Sequence, residues 1–274
     1  MRTSRVLTKL HQDIPSWGLA MHATDPTFHE MAGFMGPDVF WLDLEHHHYS
    51  LETASHMIRG ARVSDTDVVA RPAKGEFMRM SRLLETGATG IMYPRCDDAK
   101  EASEVVKWAK FAPLGKRGAD TGNADTSHMI PPLDRYTREA NEQTFIVIQL
   151  EDQNAINEAE AIAAVPGVDF VMLGPGDFSI LSGFPGRFDH PKLQKAMKSV
   201  AAAARNTGKN WAAIGKSGER ARELIQEGCR LLWHMSDLSL LQKGIRESRR
   251  AMIDAGIPLR GISYDCGKTY VEDE

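Results

Sequence analysis

Eight short apolar runs rich in β-formers punctuate the chain: WGLAMHA (17–23), DVFWLDLEH (38–46), DVVARPA (67–73), GIMYPRC (90–96), TFIVIQLED (144–152), VDFVMLGPGD (168–177), NWAAIG (210–215) and CRLLWHMSD (229–237). Each is followed by a segment with helical spacing, the alternation a parallel sheet needs because parallel neighbours are joined only by crossovers. The runs are apolar on both parities, as strands covered on both faces should be. Eight such units in 274 residues predict one α/β domain over residues 1–274, a single (β/α)8 TIM barrel, with a doubly wound sheet as the competing arrangement.

The intervening segments carry helix signals. SLETASHMIRGAR opens with Ser50 as an N-cap followed by Glu52, and SRLLETGATG ends a helix at Gly87. HPKLQKAMKSVAAAARNTGK aligns Leu193, Met197, Val200 and Ala204 on one face and closes at Gly208. The long irregular stretch spans about 114–141, a length usually kept for function or an interface.

With 42% hydrophobic and 26% charged residues, the chain has the make-up of a folded globular domain. Its net charge of -4 is spread out, which leaves no footprint for nucleic acid or an anionic membrane. No stretch approaches the roughly 18 apolar residues of a membrane span, and the opening MRTSRVLTKLHQDIPSWG lacks the apolar segment of a secretion signal. Cys96, Cys229 and Cys266 are odd in number and show no C-x-x-C spacing, which points away from a disulfide framework or zinc ribbon and toward a reducing cytoplasm. A small-molecule partner is expected.

Barrel chemistry gathers at the carboxyl ends of the strands. Those ends carry His22; Asp43, Glu45 and His46; Arg71; Arg95; Gln149 and Glu151; Asp177; Lys216; and His234 and Asp237. Glu151 and Asp177 end consecutive strands, about 4.8 Å apart in a parallel sheet, so both carboxylates can reach one ion. Oxygen donors without Cys or His suit a hard cation such as Mg²⁺ or Mn²⁺; alternatively, each caps the following helix. LGPGDFS (173–179) sets Gly174 and Gly176 around Pro175, a turn that can cradle an anion or be an ordinary turn. Arg71 can pair with a carboxylate, stabilise a developing enolate oxygen, or form a salt bridge across the rim.

The run HHH (46–48) admits two readings. His46 and His48 share parity and match the H-x-H metal pair of a barrel hydrolase, whereas His46 alone would serve as an acid/base. AIGKSGE (213–219) fails as a phosphate-binding loop because Asn210 stands where Gly is required, and Lys216 as an imine-forming lysine sits just past a strand rather than within it.

In order and spacing, DLEH (43–46), ARP (70–72), LLETGA (83–88), PLGKRG (113–118), QLED (149–152) and GPGDFS (174–179) together resemble the HpcH/HpaI family of class II 2-oxo-acid aldolases, over about 17–237. The resemblance implies a barrel of the phosphoenolpyruvate/pyruvate type that cleaves or forms 4-hydroxy-2-oxo acids, releasing pyruvate and an aldehyde through a metal-stabilised enolate. It implies a divalent ion (Mg, Mn or Co) on Glu151 and Asp177, with no organic cofactor. Arg71 would face the keto or enolate oxygen, His46 would be the acid/base oriented by Glu85, and Gln149, Gly176 and Asp177 would bind the 2-oxo acid. Similar aldolases are trimers or hexamers with an exchanged C-terminal helix, which makes 240–256, and the tail to 274, the expected assembly element. Leu44, His47, His48 and Ala20 depart from the family's usual residues near the aldehyde pocket, as does the 118–132 segment. A metallohydrolase on His46/His48 and a non-catalytic 2-oxo-acid-binding member stay open on these residues.

Overall fold

In the computed structural model, which describes residues 1–258, the eight runs form strands β1 (Ser16–Met21), β2 (Val39–Asp43), β3 (Asp67–Arg71), β4 (Gly90–Tyr93), β5 (Phe145–Leu150), β6 (Phe170–Leu173), β7 (Asn210–Ile214) and β8 (Cys229–Ser236). Each pairs in parallel with the next and β8 pairs with β1, so the sheet closes into a barrel and the doubly wound alternative is excluded.

Strand periodicity divides the core in two. Trp41, Val69, Met92, Phe145, Val147 and Trp233 pack with one another inside the barrel. Their neighbours Phe40, Leu42, Val68, Ile91, Ile146 and Ile148 pack outward among the helices. Gly18 is where this interior is tightest: a Cβ there would lie 2.2 Å from the Trp233 ring.

The amino-terminal end of the barrel is shut by the helix Arg5–His11, whose Val6 and Leu7 join the interior cluster. Asp67 anchors it, accepting from Ser4 Oγ at 2.6 Å, Val6 N at 2.9 Å and Arg2 Nη2 at 2.7 Å. Ser50 does cap the helix Leu51–Val63, accepting from Thr53 N at 3.1 Å. The 114–141 stretch is less irregular than expected, because the helix Leu133–Gln143 occupies its end. Only Tyr136 and Ala140 of that helix are buried, too thin an apolar stripe to announce itself. The rest of the stretch is fastened by Tyr136 Oη and Arg117 Nη2, which reach Asp125 Oδ2 at 2.7 and 3.3 Å.

The last described helix, Asp237–Asp254, follows β8 and contains most of 240–256. The tail ISYDCGKTYVEDE (262–274), with Cys266, lies outside the described residues. Among the described residues no helix is long and apolar enough to cross a membrane.

Candidate active site

The interior parity continues past the apolar layers into polar residues. On β2 the series 39, 41 is followed by Asp43 and Glu45; on β3, Val69 by Arg71; on β5, 145 and 147 by Gln149 and Glu151. These groups therefore converge at the carboxyl-end rim.

Arg71 is the centre of this cluster and is almost wholly buried. Its Nε and Nη2 donate to Asp43 Oδ1 and Oδ2 at 2.9 and 2.6 Å, the two-pronged geometry that fixes a guanidinium plane. Nη1 donates to Gln149 Oε1 at 3.1 Å, and the group lies 4.7 Å above the Trp41 ring. Burial alone would raise the Asp43 carboxyl, but the Arg71 hydrogen bond and charge outweigh it and hold the pKa below the ordinary value. The salt bridge and the charged-site readings of Arg71 are thus both realised: Asp43 orients it, and it faces the cavity.

A cavity of about 350 Å³ opens at this rim, and it takes in His46, Arg71, Gln149, Glu151, Gly176 and Asp177. Six of the seven residues singled out in the sequence are thereby brought together. Glu151 is 3% exposed, and its Oε2 accepts from Arg95 N at 3.0 Å. Burial raises its pKa to about 7; Arg71 opposes that rise, while the Asp177 and Glu45 carboxylates add to it. Gly174 makes room for the Glu151 head, since a Cβ there would come 2.0 Å from Glu151 Oε1. Asp177 stands in the first turn of the helix Pro175–Leu181.

Glu85 stands apart from the rim within one chain. It ends the helix Phe77–Glu85, which runs back toward the amino-terminal end of the barrel, four residues before β4 begins. It lines a separate cleft with Arg59, Arg62 and Arg82 rather than the rim cavity. There burial raises its pKa against the pull of Arg117. Within this chain it does not orient His46, whose acidic neighbour is Glu45, with Nε2 3.6 Å from Oε2.

The three histidines diverge. His46 is 54% exposed and faces the cavity. His47 turns back, with Nδ1 3.1 Å from the Asp43 carbonyl and its ring stacked on Tyr49, and His48 is exposed. His46 and His48 share no third ligand: among the described residues no group of three or more His, Cys, Asp or Glu is placed to hold a metal. Glu151 and Asp177 are accordingly a pair, and an ion on them would complete its shell with water and substrate.

That pair suits a hard cation. The donors are oxygens only, and Glu151 is buried at a cost a cation would relieve. Glu45, on the interior parity of β2, is held by cations of the chain itself. Its side chain is 3% exposed, yet neither oxygen receives a hydrogen bond; Arg95 Nη2 at 2.7 Å and Arg71 Nε at 3.4 Å approach only as ion pairs. Arg95 in turn holds a left-handed backbone, φ 47°, which is uncommon outside glycine and collects at functional sites. Sequence reasoning placed Glu45 and Arg95 at strand ends but gave them no role. The 41, 43, 45 interior series was the signal that could have found Glu45.

Comparison with known proteins agrees with this geometry. Residues 17–241 match the family model described as HpcH/HpaI aldolase/citrate lyase. The chain is 30% identical over 230 residues to the hydroxypyruvate/pyruvate aldolase of Pseudomonas aeruginosa, covering 84% of this chain and 85% of that one. It is 27% identical over 249 residues to the 2-keto-3-deoxy-L-rhamnonate aldolase of Klebsiella pneumoniae subsp. pneumoniae, covering 90% and 92%. The crystal structure of an HpcH/HpaI aldolase from Desulfitobacterium hafniense DCB-2 superposes with a TM-score of 0.84 at 27% identity, over 94% of this chain and 98% of that one. With a family match across most of its length, the chain belongs to the HpcH/HpaI aldolase/citrate lyase family, a carbon–carbon lyase by that membership.

Proposed function

We propose that the protein is a divalent-metal-dependent aldolase that cleaves or forms 4-hydroxy-2-oxo acids, with pyruvate as the enolate donor. The observation that carries this reading is Arg71, locked by Asp43 and Gln149 and facing the Glu151–Asp177 pair across one cavity. Glu151 and Asp177 hold the ion, Mg²⁺, Mn²⁺ or Co²⁺, which when bound supplies Lewis acidity toward the oxygens of the 2-oxo acid.

In cleavage, His46 takes the proton of the substrate's 4-hydroxyl, and the bond between carbons 3 and 4 breaks to release the aldehyde. The electron pair moves toward the 2-oxo oxygen, where Arg71 offers a fixed positive charge that needs no reorganisation. Gln149 positions Arg71 and the acid, and the backbone N–H groups of Gly176 and Asp177 bind the acid's carboxylate. Carbon 3 then takes a proton and leaves as the pyruvate methyl; addition runs the same steps in reverse.

The test is proton NMR of pyruvate in D₂O. Loss of the methyl signal with added Mg²⁺, Mn²⁺ or Co²⁺, absent with EDTA and in Glu151→Ala and Arg71→Ala, is the expected result. No exchange with any of the ions sinks the reading, and so does a lysine adduct trapped by borohydride.

The reading extends to assembly and location. A homo-oligomer, trimer or hexamer, is supported by the helix Asp237–Asp254, which leaves Leu241, Ile245, Met252 and Ile253 exposed. Light scattering should give a mass of three or six chains, falling when the chain is cut before 240. A cytoplasmic home fits the free thiols of Cys96 and Cys229, both buried.

A further inference from the structure

A second cavity, of about 160 Å³, lies on the other side of Arg71, between β1, β2 and β8. Its walls include the apolar Ala20, Trp41, Ile214 and Trp233; of its polar lining, Asp43 and Arg71 bond each other and Ser236 and Ser239 bond each other, which leaves His22 and Gln242 to meet a guest. His22 stands on the interior parity of β1, after Gly18 and Ala20, and it lines this cavity.

His22 is the most firmly oriented imidazole in the molecule. Its Nδ1 lies 2.7 Å from Asp237 Oδ1, and its own N–H and that of Ala23 donate to Asp237 Oδ2 at 2.8 and 2.7 Å. Leu238 N adds a fourth bond to the same carboxylate, at 2.7 Å. A carboxylate so surrounded by donors only accepts, so Nδ1 carries a proton and Nε2 is the ring atom left for a guest. Nε2 has no hydrogen-bond partner among the described residues, and the ring edge rests against His47 with centroids 4.8 Å apart. By contrast His46, at the first cavity, has no carboxylate within hydrogen-bond distance.

We propose that this cavity is the acceptor subsite, and that His22, positioned by Asp237, hydrogen-bonds through Nε2 to a hydroxyl on the incoming or departing aldehyde. The inference rests on the aldolase reading for the identity of the second substrate. Size limits the guest: a cavity of about 150 Å³ takes up a molecule as large as benzene, so a short aldehyde of three to six heavy atoms fits. A ring nitrogen held in place by a carboxylate selects a guest with a hydroxyl over the same guest without it, because a polar group left unpaired in such a site is what discriminates most strongly. Arg71 and Trp41 border both cavities, which sets an aldehyde in the second beside an enolate in the first.

The experiment compares addition of pyruvate to 2-hydroxypropanal and to propanal, with Mg²⁺ present, in wild type, His22→Leu and His22→Gln. In His22→Leu the ratio of kcat/KM for the hydroxyaldehyde over propanal falls at least tenfold, and His22→Gln, which keeps a polar acceptor, restores part of it. An equal loss on both aldehydes, or no loss, overturns the proposal. Pyruvate exchange in D₂O is followed in the same samples: its absence in wild type counts against the aldolase reading alone. The ring nitrogen signals of His22, assigned by their loss in His22→Gln, decide the subsite in either case. They shift when 2-hydroxypropanal is added and not when propanal is; a common response to both overturns the assignment.

Discussion

The two ends of the barrel treat a buried acid in opposite ways. At the amino-terminal end Asp67 is fully buried and each oxygen is met by donors, from Arg2, Ser4 and Val6. At the carboxyl end the Glu45 side chain is nearly as buried but meets Arg95 and Arg71 only as ion pairs, and Glu151 beside it is pushed up to about 7. A buried polar group left short of partners costs stability, so it persists where something other than folding holds it. The contrast separates an acid that fastens a helix from acids kept ready for a cation and a substrate.

Substitutions test whether that division is real, and the largest effect falls at the rim. Glu151→Gln should slow metal-dependent pyruvate exchange by about 10³-fold, the several kcal/mol of charge stabilisation that a bound ion contributes. Its Tm should hold or rise, because a desolvated carboxylate is removed; a Tm drop like that of an Asp67 variant would break the comparison. Arg71→Lys keeps the charge but loses the forked contact with Asp43, and should lower the same rate by about 10²-fold, read by NMR at saturating pyruvate.

At the other end the effect moves from rate to stability. Asp67→Ala leaves Arg2 and the helix Arg5–His11 without their anchor and should cost about 3 kcal/mol in urea unfolding, with the rate per folded molecule unchanged. A rate loss of the size seen for Arg71→Lys would mean the ends are coupled.

The smallest effect is a pH dependence. Burial would raise the Asp237 carboxyl, but its bonds from His22 and the Ala23 and His22 amides outweigh burial and hold it below its usual 3.8. A depressed folded pKa contributes stability that is present above the unfolded value and lost as pH falls through the folded one. The stability gap between wild type and Asp237→Asn, measured by urea unfolding, should therefore stay constant from pH 7 to about 5 and narrow below about pH 4. His29 and Tyr49 also lie within the field of Asp237, so the same titration in His22→Leu isolates the His22 share.

Much of this was written in the sequence. Eight apolar runs with no free parity could only be strands covered on both sides, and their number and spacing led to a closed barrel. Arg71, Gln149, Glu151 and Asp177 could be placed at one rim because a strand's direction fixes which end its last residues reach. Glu85 lay outside that logic. The family resemblance, not strand direction, put it beside His46; within one chain the helix after β3 runs back to the opposite end, and its last turn goes with it. The helix Leu133–Gln143 escaped for a different reason, since it buries only two residues.

What the chain order determined by itself is everything that depends on periodicity along one strand: which residues are strand, which face the interior, and which stand at the catalytic end. What only the tertiary structure decided is everything that depends on neighbours across the ring. His22 and Asp237 are 215 residues apart and meet because β8 closes onto β1. Glu45 meets Arg71 and Arg95 only as ion pairs because of how they approach it, one from the end of β3 and one from the loop after β4. Local sequence sets the direction of a side chain, but its hydrogen-bond partners, and hence its charge and chemistry, are set by closure of the sheet.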